Sequence, residues 1–193
     1  MIKFIILFCA VLYCGFIMVV GVSETGPGKY LIKFLEQCVE ESEECYEIKF
    51  NTSQHKINRT HDGFDIIMEL DTPLSDEYAI RIDICKQVDG GCKPFHVLSD
   101  NSLPNFAYQY AKENVKTFLE LANCDPPDFP VPKGEHKGIG YIVNYDELPK
   151  NGPYGEFYAT CYIIKNTKKV GCLKINVEFN EKQEGGDDED DYE

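Results

Sequence analysis

Beyond residue 23 the sequence has no long hydrophobic run, so nothing there approaches the roughly 20 apolar residues that a membrane-crossing helix needs. Positive charge is also scarce: 19 Lys and Arg stand against 33 Asp and Glu, for a net charge of -14. The lysines form no basic stripe, and a surface of this sign repels phosphate backbones, which argues against nucleic-acid binding. Chemistry-bearing patterns are missing too. There is no HExxH or Cys/His zinc pattern, no Gly-x-Ser-x-Gly elbow and no glycine loop that would cradle a phosphate. The four histidines, His55, His61, His96 and His136, are scattered. Carboxylates are plentiful but none stands out as a catalytic pair, and an unpaired strand thiol such as Cys161 is read as packing. No enzymatic activity, metal or cofactor is expected, and no internal repeat is visible.

What is present begins with an address label. Lys3 supplies a positive start, residues 4–20 are almost wholly apolar, and Gly21-Val22-Ser23 offers small residues for cleavage. Residues 1–23 are therefore read as a signal peptide, with the mature chain starting near Glu24. Residues 24–180 suffice for one domain with one core. Residues 181–193 are acidic and nearly free of apolar side chains, so they cannot offset their ordering entropy and are expected to be disordered. Seven of the tail's acids, Glu184, Asp187, Asp188, Glu189, Asp190, Asp191 and Glu193, account for half of the net charge, and without them the balance is about -7. Nine cysteines are present, of which Cys9 and Cys14 leave with the signal. The remaining seven imply disulfides in an exported, extracellular chain, with at least one thiol left over. Two glycosylation sequons, at Asn51 and Asn58, fit that compartment.

The hydrophobic pattern is mostly period two. Phe64, Ile66, Met68 and Leu70 share one strand face, and Ile80, Ile82 and Ile84 share another against Arg81 and Asp83. Asp62-Gly63 and Asp89-Gly90-Gly91 mark tight reversals, because such turns need residues that tolerate positive φ. After Pro104 the period changes: Ala107, Ala111, Val115, Phe118 and Ala122 recur at helical steps, predicting one amphipathic helix with Asp100 or Ser102 as its cap. The proline-rich run 124–132 is an extended loop, since proline lacks the donor that helices and central strands need. Strands are predicted again at 140–145, 156–165 and 170–179, with Asn151-Gly152-Pro153 and Asn166-Thr167 as turns. The fold class is thus mostly β: an immunoglobulin-like two-sheet sandwich or β-cup with one amphipathic helix, bonded by disulfides.

Cys85 and Cys92 bracket a short turn, so a hairpin-closing bridge is geometrically easy. Cys172 falls in the last strand, and either Cys38 or Cys45 near the first would reach it.

The ordered elements Pro132-Lys133-Gly134-Glu135, Tyr141-Ile142-Val143, Glu147-Leu148-Pro149, Gly155-Glu156-Phe157-Tyr158 and Val170-Gly171-Cys172-Leu173-Lys174-Ile175 resemble the ganglioside-activator-like branch of the lipid-recognition (ML) superfamily. They are similar also to insect secreted proteins, some chemosensory, that are like that activator. The resemblance spans roughly residues 37–179. It implies a cup whose sheets part around an apolar cavity, a Cys85–Cys92 bridge and a Cys38–Cys172 bridge between the ends. Cys124 precedes the proline-rich loop where relatives carry a bridged cysteine, and its expected partner here is Cys161 or Cys45.

The expected function is that of a carrier or presenter of a lipid or other small apolar ligand, with a membrane surface or receptor as further partner. The alternative is a filled sandwich that binds a receptor through its surface. Expected cavity residues are Phe64, Ile66, Met68, Ile80, Ile82, Phe118, Tyr141, Val143, Phe157, Ile163, Ile175 and Val177, with Phe129 and Val131 at the rim. Alternation alone cannot tell a hollow core from a filled one.

Overall fold

A computed structural model describes residues 25–38, 46–57 and 62–182. The expected signal peptide (1–23), Cys45, the Asn58 sequon, His61 and tail residues 183–193 lie outside the described residues.

The fold is mostly β and consists of two sheets. The strands are β1 (Thr25–Gln37), β2 (Ile48–Lys56), β3 (Asp62–Leu70), β4 (Ala79–Val88), β5 (Gly91–Asp100), β6 (Gly134–Tyr141), β7 (Asn151–Pro153), β8 (Gly155–Lys165) and β9 (Lys168–Glu181). Helices α1 (Leu103–Tyr110) and α2 (Lys112–Leu121) lie between β5 and β6. The larger sheet runs β5-β4-β8-β9-β1-β7 and the smaller runs β2-β3-β6. Every ladder is antiparallel.

Turn chemistry sets the hairpins. Gly90 and Gly91 take φ values of +94° and +118° between β4 and β5, a region that a side chain would oppose. Asn166 and Thr167 take +48° and +65° between β8 and β9, as a two-residue hairpin turn requires. Register then assigns the faces. Ile80 lies opposite Ile163, Ile82 opposite Cys161 and Ile84 opposite Ala159. Ile175 lies opposite Ala159 and Val177 opposite Phe157. These residues share the inner face of the large sheet, because side chains alternate along a strand.

On one side β2 packs against β1 and β9, closing the two sheets together. On the other side the helices bridge them, α2 against β6 and α1 against β4 and β5. Gly138 makes the α2 contact possible: a Cβ there would stand 2.6 Å from the Phe118 ring. A buried cluster including Ile48, Met68, Leu70, Leu74, Tyr78, Leu119 and Val131 fills the end of the sandwich near the proline-rich loop.

Among the described residues two disulfides are formed, Cys38–Cys172 and Cys85–Cys92, with Cα atoms 5.4 and 5.5 Å apart. The first ties the end of β1 to β9, and the second closes the β4–β5 hairpin. Cys124 and Cys161 are free thiols and do not form the expected bridge with each other; the alternative partner, Cys45, lies outside the described residues. Burial pushes the Cys161 thiol up to about 12, so it stays protonated at neutral pH and packs as a small apolar group.

Other expectations need correction. The single predicted helix is two, broken at Ala111, whose φ of -153° and ψ of 35° leave the helical region. Ser102 caps the first by accepting from the Asn105 amide, and Asp100 accepts from the Ser102 amide. Asn151-Gly152-Pro153 is not a turn but the edge strand β7, paired with Thr25, Gly26 and Pro27. An edge position tolerates Pro153 because no second neighbour needs its missing donor. Asp62 and Gly63 already belong to β3, opposite Lys56 and His55. The strand expected at 140–145 runs instead from Gly134 to Tyr141, and β9 continues through Glu181 into the expected tail. Asn51 stands exposed on the edge strand β2.

Candidate functional site

Between the sheets and under the helices lies a partly open cavity of about 380 Å³. The large sheet supplies Ile32, Leu35, Ile163, Leu173 and Ile175, and the small sheet supplies Phe50, Phe64, Ile66, Met68 and Tyr141. Helices and loops complete it with Leu74, Leu103, Ala111, Asn114, Val115, Phe118, Leu119, Phe129, Val131 and Val143. No lining residue carries a formal charge.

Of the residues predicted from sequence, Phe64, Ile66, Met68, Phe118, Tyr141, Val143, Ile163 and Ile175 line this space together. Phe129 and Val131, expected at the rim, belong to the wall itself, and Val131 is buried. Ile80, Ile82, Phe157 and Val177 do not line it. They share the inner face, but three strands cannot cover six. Ile80 packs against the buried cluster beside the cavity, and Ile82 stands half-buried between Cys161 and Leu98 on neighbouring strands. Phe157 packs edge-on with Phe95, ring centroids 5.2 Å apart, with the Lys86 ammonium 5.6 Å from its ring centre. Val177 lies between Ile32 and Phe157 in the ladder.

The cavity has one polar corner, and it is internally satisfied. The Tyr141 hydroxyl donates to Asn114 Oδ1 at 2.6 Å, and the Asn144 amide donates to the same oxygen at 2.8 Å. Asn114 Nδ2 donates to the Asn144 carbonyl at 2.9 Å and to Glu147 Oε2 at 2.7 Å. All four hydrogen-bonding positions of the Asn114 amide are thereby used. Burial, and after it the field of Glu147, holds the Tyr141 phenol above its ordinary range.

Glu147 also explains the helix break. Its carboxylate accepts from the backbone amides of Glu113 (2.6 Å) and Asn114 (2.9 Å), the first turn of α2. Ala111 offers that helix no side-chain cap, so a residue of the 3-10 turn Tyr145–Glu147 supplies the acceptor and complements the helix dipole. Replacing Glu147 by alanine is expected to cost about 1–2 kcal/mol in thermal or chemical unfolding, with the loss shared by Asn114→Ala rather than added to it. Sequence reasoning missed both residues. Glu147 stood in plain view within Glu147-Leu148-Pro149, but no short-range pattern says which helix an acid will cap.

On the far side of the loop the buried His136 donates through Nε2 to the Pro132 carbonyl at 2.7 Å, which leaves Nδ1 to accept from the Cys124 thiol at 3.3 Å. Tyr108 on α1 donates to Asp128, which also accepts from the Phe129 amide at 2.7 Å, and the Tyr108 and Phe129 rings meet edge-on. These contacts hold the proline-rich loop, and Phe129 with it, against the cavity. Among the described residues no group of three or more His, Cys, Asp or Glu is placed to hold a metal ion, and no helix is long and apolar enough to cross a membrane.

No protein-family model matches the chain, and no curated protein matches it.

Proposed function

We propose that this protein is a non-enzymatic, secreted carrier or presenter of a lipid or another small apolar ligand, held between the two sheets. The observation that carries the reading is the apolar cavity of about 380 Å³. That volume falls in the range of ligand sites, roughly 300–1,000 Å³. Water is a poor tenant for it. A buried water needs two to four polar partners, and the wall offers Asn114, whose groups are all spent on its neighbours, and the Tyr141 hydroxyl, whose hydrogen is spent and whose oxygen is left as a single acceptor. An apolar chain gains about 0.8 kcal/mol for each methylene it buries there. The disulfides fit an oxidising compartment, and the sequence elements that resemble those of the lipid-recognition superfamily suit the same reading.

The test is native mass spectrometry of the mature chain after gentle purification from its own secretory route, followed by solvent extraction. A carrier retains apolar material of defined mass. Recovery of the bare polypeptide, with nothing extractable and no uptake of added lipid, would leave the rival reading, a surface-binding accessory protein, in its place.

A further inference from the structure

Resting on the carrier reading, we infer that the cavity selects electrically neutral apolar molecules, such as long-chain esters, alcohols or hydrocarbons, over ionised amphiphiles such as long-chain carboxylates. The wall has little to offer a charge. No lysine, arginine or histidine is among the lining residues. An ion moved into such surroundings without a partner loses several kcal/mol of hydration.

Hydrogen-bond donors are equally lacking. The single hydroxyl hydrogen of Tyr141 goes to Asn114, and the two amide hydrogens of Asn114 go to the Asn144 carbonyl and to Glu147. A carboxylate head would find no free donor at the polar corner. It would instead face a negative charge, because Glu147 stands one hydrogen bond behind Asn114 and is itself held by the α2 amides. Tyr141 reports what an acidic ligand would feel: burial first and Glu147 second both disfavour its ionised form. The same two influences act on any acid seated beside it. A neutral ester or alcohol meets neither penalty and keeps the full apolar contact. Selection therefore falls on charge, and the chain of net charge -14 adds a long-range repulsion of the same sign.

The experiment is displacement of a neutral fluorescent probe, N-phenyl-1-naphthylamine, from the delipidated mature chain at pH 7.5 by methyl hexadecanoate and by hexadecanoate. Both competitors are kept below their aggregation thresholds. The ester is expected to displace the probe at a concentration at least tenfold lower than the carboxylate. Equal or stronger displacement by the carboxylate would overturn charge selection and leave the carrier reading standing, since the head would then be lying in solvent or on an unrecognised partner. Failure of the probe and of both competitors to bind would remove the carrier reading and this inference with it.

Discussion

Replacing Cys38 and Cys172 together by serine is expected to destabilise the fold by about 5 kcal/mol, roughly twice the loss from replacing Cys85 and Cys92. The difference comes from loop length. The first bridge joins residues 134 apart and the second joins residues 7 apart. In the chain-entropy account a crosslink restricts the unfolded chain more, the longer the loop it closes. The contacts around the first bridge act in the same direction: Cys38 and Cys172 are both buried, and Tyr46 packs against them with Tyr162 alongside. A loss of about 5 kcal/mol is comparable to the whole stability of many domains. The long-bridge variant is therefore expected to be largely unfolded at 37 °C, while the hairpin variant remains folded with a lower midpoint. Denaturant titration of both variants, with the free thiols Cys124 and Cys161 left as they are, checks the ratio. Equal losses would mean that the long bridge fastens a junction already held by β1–β9 pairing.

Substituting Ala111 by phenylalanine is expected to lower affinity for a neutral apolar probe at least tenfold while leaving the melting temperature unchanged or raised. Ala111 lines the cavity at the break between α1 and α2, and its negative φ of -153° carries none of the strain that a side chain meets at positive φ. A phenyl ring there occupies space that a ligand would use. In a hollow interior the added atoms gain dispersion contacts that the void lacks. In a solidly packed interior the same ring would have to displace neighbours, at a cost of about 1–3 kcal/mol. The signs of the two effects thus separate a carrier from a filled sandwich. Probe titration with a parallel thermal melt reads both; a lower melting temperature with unchanged probe binding would count against the cavity as the ligand site.

Local pattern carried the strand faces of this protein. Alternation placed Phe64, Ile66 and Met68 on one side of β3, and the structure brings all three to the cavity. Asp89-Gly90-Gly91 announced its turn because glycine tolerates positive φ, and Asn166 marked the other for the same reason, while β-branched Thr167 takes its φ of +65° from the hairpin and not from its own preference. The spacing of Cys85 and Cys92 announced a bridge for a similarly local reason, since the hairpin between them sets the distance.

The rest depended on partners far away in the chain. Ala111 favours a helix by intrinsic propensity, and what breaks the helix there is a carboxylate 36 positions later, Glu147, capping the second half. Asn151-Gly152-Pro153 has the composition of a turn, and only the arrival of residues 25–27 alongside makes it a strand. Cys124 and His136 gave no sign of each other in sequence, because a loop and a strand had to meet first. Ile82 and Val177 show the same limit on the cavity itself. Alternation determines which way a side chain points; whether that direction ends in a ligand space, a neighbouring ring or water is decided by what the fold lays opposite, here a three-stranded sheet facing one of six.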